Sequence, residues 1–211
     1  MTLRHWARRI AVGATSAAAL VALAVPAEAA APATTSTSAT AAVTAAADVD
    51  YATWQRDCQA VMDQALPYLK QRIADARPGE KQALVFDIDN TTLETDFGFS
   101  FPQPANRPAL RVAQYAQDHG VALFFVTARP GIIAGVTDFN LEHVGYDVSG
   151  LYVRGFLDLF KNVADYKTAQ RVDIEKRGYT IIANIGNSAT DLSGGHAEKT
   201  YKLPDYGGQL S

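Results

Sequence analysis

Ala83-Leu84-Val85-Phe86-Asp87-Ile88-Asp89-Asn90-Thr91-Thr92 changes chemical character halfway along. Its first half is apolar without alternation, the pattern of a strand buried on both faces, so the run Ala83 to Ile88 reads as a parallel strand ending in an acid. Its second half is acid, amide and hydroxyl, residue types that favour turns because their side chains bond nearby backbone. Two carboxylates two residues apart repel each other, and a cation between them is the usual remedy. Once the strand ends, both can turn toward one site.

Outward from this strand the chain alternates helices and strands. Residues 51–76 carry Trp54, Cys58, Val61, Met62, Ala65, Leu69 and Ile73 at three- and four-residue steps, an amphipathic helix that Pro67 is expected to split or kink. Cys58 lies on its apolar face and reads as core. Beyond the quoted stretch come a helix over 109–119, a strand Val121 to Thr127, a helix over 131–143 and a short strand Leu151 to Val153. A helix over 165–177, a strand Thr180 to Ile185 and a last strand Thr200 to Leu203 complete the series. Such alternation predicts a doubly wound α/β fold: a mostly parallel sheet, helices on both faces, and ligands beyond the carboxyl ends of the strands.

Four polar groups fall at those ends. Asp87 and Asp89 follow the first strand as nucleophile and acid/base candidates. Thr127 and Ala128 follow the second; a strand-end threonine is ordinarily a helix cap, but beside a carboxylate pair its hydroxyl and the next N–H make a cradle for phosphate oxygens. Lys167 opens a helix, where a cation opposes the macrodipole, and it suits a site that must hold carboxylates and a phosphate together. Gly186 to Asp191 reads either as a turn into a short helix or as a loop in which Asn187 and Asp191 turn oxygens toward a cation; Mg²⁺ accepts such ligands. The gaps of 40, 40 and 24 residues between Asp87, Thr127, Lys167 and Asp191 each fit one or two strand–helix units, so all four groups converge on one sheet edge.

Composition narrows the rest. The 211 residues allow one domain plus extras, and the formal charge of −3 lends no support to a nucleic-acid polymer as partner. A single cysteine excludes an internal disulfide and a Cys-based zinc site. His119, His143 and His196 lack metal-ligand spacing and read as surface or turn residues.

The amino-terminal residues read as an address. Arg4, Arg8 and Arg9 precede the uncharged run Ile10 to Val25, and Ala27-Glu28-Ala29 offers the small residues of a signal-peptidase site. Residues 1–29 are therefore expected to be a signal peptide and 30–47 an Ala/Thr/Ser-rich linker, with the folded domain over 48–211. Cleavage after Ala29 makes the product secreted, with no membrane span; an uncleaved anchor is the lesser alternative.

Together, VFDIDNTTLETD, FFVTARP, YKTAQR and NIGNSATDLSGG resemble the haloacid dehalogenase (HAD) superfamily, and within it the class B type of acid phosphatases, a group that includes plant vegetative storage proteins. The resemblance spans residues 51–206. It implies an exported Mg²⁺-dependent phosphomonoesterase, with Asp87 attacking phosphorus to form an aspartyl-phosphate and Asp89 protonating the leaving alcohol and then activating water. Thr127 and Ala128 would bind phosphate, and Lys167 would steady Asp87 and neutralise charge. Mg²⁺ would be held by Asp87, the Asp89 carbonyl, Asn187 and Asp191.

One position departs from the family. Members commonly carry aspartate where Asn187 stands, so weaker Mg²⁺ binding, a larger part for Asp191, or a catalytically weak storage or binding protein are the expectations attached to it. Asp89 argues against dehalogenation, which has no alcohol to protonate. Glu94 to Pro108 lies where superfamily members insert a cap and is too short for a cap domain. That predicts an open site, either broad in its small-molecule phosphomonoester substrates or closed by a second copy in a homo-oligomer. Phe97, Phe99 and Phe101 either line its entrance or pack the flap.

Overall fold

The structure, a computed structural model, describes residues 49–210. The signal-peptide and linker expectations fall on residues 1–47, outside the described residues.

Five parallel strands, β1 (Lys81–Phe86), β2 (Ala122–Pro130), β3 (Val148–Arg154), β4 (Tyr179–Gly186) and β5 (Thr200–Lys202), form one sheet in the order β3-β2-β1-β4-β5. The helices are α1 (Tyr51–Ala74), α2 (Arg107–Asp118), α3 (Ala134–His143), α4 (Val163–Lys176) and the single turn α5 (Ala189–Leu192). Alternate residues of β1 and β2 serve opposite faces. Leu84, Phe86, Leu123 and Phe125 pack with α1 and α2, whereas Ala83, Val85, Phe124 and Val126 pack with Tyr166 and Ile174 of α4. This double burial is why the strands read as unbroken apolar runs.

The amphipathic stripe of α1 is buried as Trp54, Cys58, Met62, Ala65 and Leu69. Burying each of the larger side chains contributes about 1.5–3 kcal/mol. Asp50 caps the helix by accepting the Thr53 N–H at 2.8 Å. Pro67 does not split the helix: α1 is one element of 24 residues with Pro67 inside. Pro67 and Asp63, whose carbonyl loses its partner, are both exposed, so water can satisfy the freed acceptor.

The chain runs from β1 outward through β2 to β3, then returns to the other side of β1 with β4. The gap between β1 and β4 is therefore a switch point, where doubly wound sheets bind ligands beyond the strand ends. Among the described residues, no helix is long and apolar enough to cross a membrane.

Candidate active site

β1 ends at Phe86, and the Asp87 N–H still donates to the Ile185 carbonyl of β4 at 2.9 Å, so Asp87 leaves the sheet at the switch point. Lys167 comes from the first turns of α4 and is buried, with its Nζ 2.6 Å from Asp87 Oδ1 and 2.5 Å from Asp191 Oδ1. Asp191 Oδ2 accepts the Ser188 N–H at 2.7 Å. Three residues separated by 80 and 24 positions thus form one buried carboxylate–ammonium–carboxylate unit. Gly186 makes it possible, because a Cβ there would lie 2.5 Å from Asp191 Oδ2.

Burial raises the Asp87 carboxyl above its ordinary range; Lys167 pulls it down, and the neighbouring Asp191 and Asp89 push it up again. Burial opposes the charge on Lys167, but Asp87 and Asp191 outweigh it and hold the ammonium above its usual value.

Asp89 turns toward Arg129. Arg129 Nε lies 3.1 Å from both carboxylate oxygens and Nη2 lies 2.7 Å from Oδ1, while the Thr95 hydroxyl donates to Oδ1 at 2.9 Å. Arg129 is held in turn by Gln103 Oε1 at 2.9 Å and Thr137 Oγ1 at 3.2 Å. Thr127 is fully buried near the end of β2, its hydroxyl accepting the Arg129 N–H at 3.1 Å, and Ala128 beside it is exposed.

Asn187 is buried after β4. Its Nδ2 donates to the Leu210 carbonyl at 2.6 Å, and its Oδ1 lies 3.5 Å from the Thr91 hydroxyl on the loop that carries Asp87 and Asp89. The stretch after β4 is further pinned through the Asp191 carbonyl, which accepts from Arg171 Nη1 at 2.8 Å and Asn184 Nδ2 at 2.9 Å. Arg171 also donates to the carbonyls of Gly195 and Ser193.

Arg129, Arg171 and Asn184 were not among the sequence candidates. Arg171 had a readable signal: it stands four residues after Lys167, on the same face of α4. The aromatic question divides. Phe97 packs the flap, stacked on Trp54 at 4.4 Å, whereas Phe99 and Phe101 are exposed. A groove of about 720 Å³ between α1 and α2 is lined by Arg56, Arg107 and Arg111, and none of the candidate residues borders it.

Among the described residues, no three His, Cys, Asp or Glu side chains are arranged to hold a metal ion. The available oxygens are of other kinds. Among the described residues, none donates to Asp87 Oδ2 or to the Asp89 carbonyl, and Asn187 Oδ1 faces the same loop. A carboxylate, a carbonyl and an amide oxygen are hard donors of the sort Mg²⁺ takes, so the residues present fit a divalent cation that keeps several waters.

A family model described as HAD superfamily, subfamily IIIB (acid phosphatase) matches residues 4–209. The chain belongs to the subfamily IIIB acid phosphatases. Like other members of its family, it is a phosphatase. It is 29% identical over 176 residues to a stem 28 kDa glycoprotein of Glycine max, covering 72% of this chain and 68% of the relative. It is 25% identical over 174 residues to acid phosphatase 1 of Solanum lycopersicum, again covering 72% and 68%. In fold it is similar to the class C acid phosphatase of Bacillus anthracis, with a TM-score of 0.55 at 17% identity over 69% of this chain and 67% of that one. HAD phosphatases generally use a divalent metal, which agrees with the oxygen donors around Asp87.

Proposed function

We propose that this subfamily IIIB phosphatase is an exported, Mg²⁺-dependent phosphomonoesterase that works through an aspartyl-phosphate at Asp87. The observation that carries the reading is the buried Asp87–Lys167–Asp191 unit at the switch point. Lys167 takes one lone pair of Asp87 Oδ1, which keeps another for a cation, and Oδ2 is left free to attack phosphorus. Thr127 and the Ala128 N–H receive phosphoryl oxygens, with the Lys167 charge nearby.

As the Asp87 oxygen bonds to phosphorus, the bond to the alcohol oxygen breaks, and a proton on the Asp89 carboxyl passes to that oxygen. Asp89 must therefore swing away from Arg129 and carry a proton at this stage. Water then attacks phosphorus and gives a proton back to Asp89, while the acyl-phosphate bond breaks, freeing phosphate and Asp87. Mg²⁺, held by Asp87, the Asp89 carbonyl and Asn187 Oδ1, would offset charge on the phosphoryl oxygens. Asp191, with both oxygens already engaged, would act on the cation through its charge and through the position it gives Lys167.

Hydrolysis of a chromogenic phosphomonoester with and without EDTA tests the reading. Turnover should need the divalent cation and vanish in Asp87→Asn; metal-independent turnover, or an active Asp87→Asn, sinks it. A storage or binding protein with weak catalysis is favoured by Asn187 alone, and the complete Asp87–Lys167–Asp191 unit speaks for catalysis. Export rests on Arg4, Arg8, Arg9 and the Ile10 to Val25 run. Protein recovered from culture medium should begin at Ala30; a cell-bound form that retains Met1 contradicts cleavage and release.

A further inference from the structure

The last residue of β5 and the segment after it meet the end of β4 and the loop that carries Asn187 at three places. The Leu203 N–H donates to the Gly186 carbonyl at 2.9 Å, Lys202 Nζ donates to the Asn187 carbonyl at 2.6 Å, and the Leu210 carbonyl accepts from Asn187 Nδ2 at 2.6 Å. The segment is itself anchored. Leu203 and Leu210 are buried in the main core, Lys202 pairs with Asp205 at 2.9 Å, and the Tyr206 hydroxyl donates to Asp57 of α1 at 2.6 Å. The Leu210 N–H closes a turn onto the Asp205 carbonyl at 3.1 Å.

The geometry points to the segment 203–210 as the element that positions Asn187, which is an amide because the Leu210 carbonyl requires a donor. An amide has one donating and one accepting end. With Nδ2 committed to Leu210, the side chain has one orientation, and Oδ1 must face Thr91 and the loop of Asp87 and Asp89. A carboxylate at this position has no hydrogen to give. It would set an anionic oxygen against a buried carbonyl, so the contact that aims the amide would instead expel the acid. The segment 203–210 therefore sets where the Asn187 amide oxygen stands in the loop after β4. The charge facing a cation is left to Asp87 and Asp191, already shared with Lys167.

This inference rests on the proposed metal-dependent reading for its consequence, but not for its central contact. The test has two arms. In the first, Asn187→Asp, deletion of residues 210–211 and their combination are melted in EDTA alongside the wild type. Asn187→Asp should lower Tm by about 5 °C, the size expected for a buried carbonyl left without its donor. Once Leu210 is deleted, the same substitution should cost little further. An equal loss in both backgrounds, or no loss in either, overturns the requirement for a donor.

In the second arm, Mg²⁺ is titrated by the Tm shift it produces, and kcat and KM for a chromogenic phosphomonoester are measured well below Tm. The deletion, which leaves Asn187 in place but frees its amide, should weaken the Mg²⁺ midpoint about tenfold and lower kcat with KM nearly unchanged. A segment that serves stability alone would lower Tm and move neither quantity, which would overturn the positioning role. Asn187→Asp binding Mg²⁺ more tightly with undiminished Tm would also overturn it. If the wild type shows neither Mg²⁺-dependent turnover nor a Tm shift, the metal reading fails, and the EDTA arm still decides the donor requirement.

Discussion

Replacing Lys167 by methionine keeps most of the volume of the stem and removes only the charge at its tip. The ammonium sits 2.6 Å from Asp87 Oδ1 and 2.5 Å from Asp191 Oδ1, where each contact is worth about 6 kcal/mol of attraction at an effective dielectric near 20. Desolvating each ion costs several kcal/mol, so the intact unit is close to balance. Removing the cation alone leaves two buried carboxylates with nothing between them, and the expected loss is about 3–5 kcal/mol.

The sign of the pH dependence follows from Asp87. Its carboxyl is already raised by burial, and without Lys167 it rises further. An acid with a folded pKa above its unfolded value costs stability only at pH values where it is ionised. That cost fades as pH falls through the folded value toward the unfolded one. Urea unfolding of Lys167→Met in EDTA should therefore show the full loss at pH 8 and a much smaller one at pH 5. A loss below about 1 kcal/mol at pH 8, under what breaking a buried ion pair costs, would refute the reasoning. So would a loss unchanged at pH 5.

Other perturbations probe separate links. Gly186→Ala puts a Cβ 2.5 Å from Asp191 Oδ2, so activity should fall sharply with a stability loss of about 1–3 kcal/mol; wild-type turnover would deny the close approach. Cys58 is fully buried, and burial pushes its thiol up to about 12, so a disulfide reagent at pH 8 should react only after unfolding; prompt native labelling would contradict its burial. Glu80 is held down to about 2, first by its hydrogen bonds from Arg72 and then by the Arg77 N–H. A depressed carboxyl stabilises the fold above its unfolded value near 4.5 and loses that contribution as pH falls toward 2. Glu80→Gln should thus melt below the wild type at pH 7 and converge with it near pH 2; a constant gap would place the effect elsewhere.

The candidate residues were readable where backbone alone decides their position. β1 is apolar on both faces, so the end of its run places Asp87 at the sheet edge; Asp191 follows the end of β4, and Lys167 stands in the first turns of α4. Side-chain partners at that edge were less legible. Arg129 lies within the FFVTARP motif, but its pairing with Asp89 depends on Gln103 and Thr137, which come from the flap and α3. Arg171 is almost completely buried because the loop 191–195 folds over it and offers carbonyls, and a helical arginine in isolation reads as solvated. Asn187 looked like a weakened metal ligand. Only the path of the segment after β5 shows that its amide has an acceptor waiting at Leu210. Pro67 does not split α1, since its exposed position lets water replace the missing bond and the helix continue.

The most direct test of the central claim is to acid-quench the enzyme during turnover of a phosphomonoester and map the modified peptide by mass spectrometry. The account predicts one phosphoryl group on the Asp87 carboxyl, absent in Asp87→Asn and absent in EDTA. Steady turnover with no phosphoryl group on Asp87, or with one carried by another residue, would contradict it.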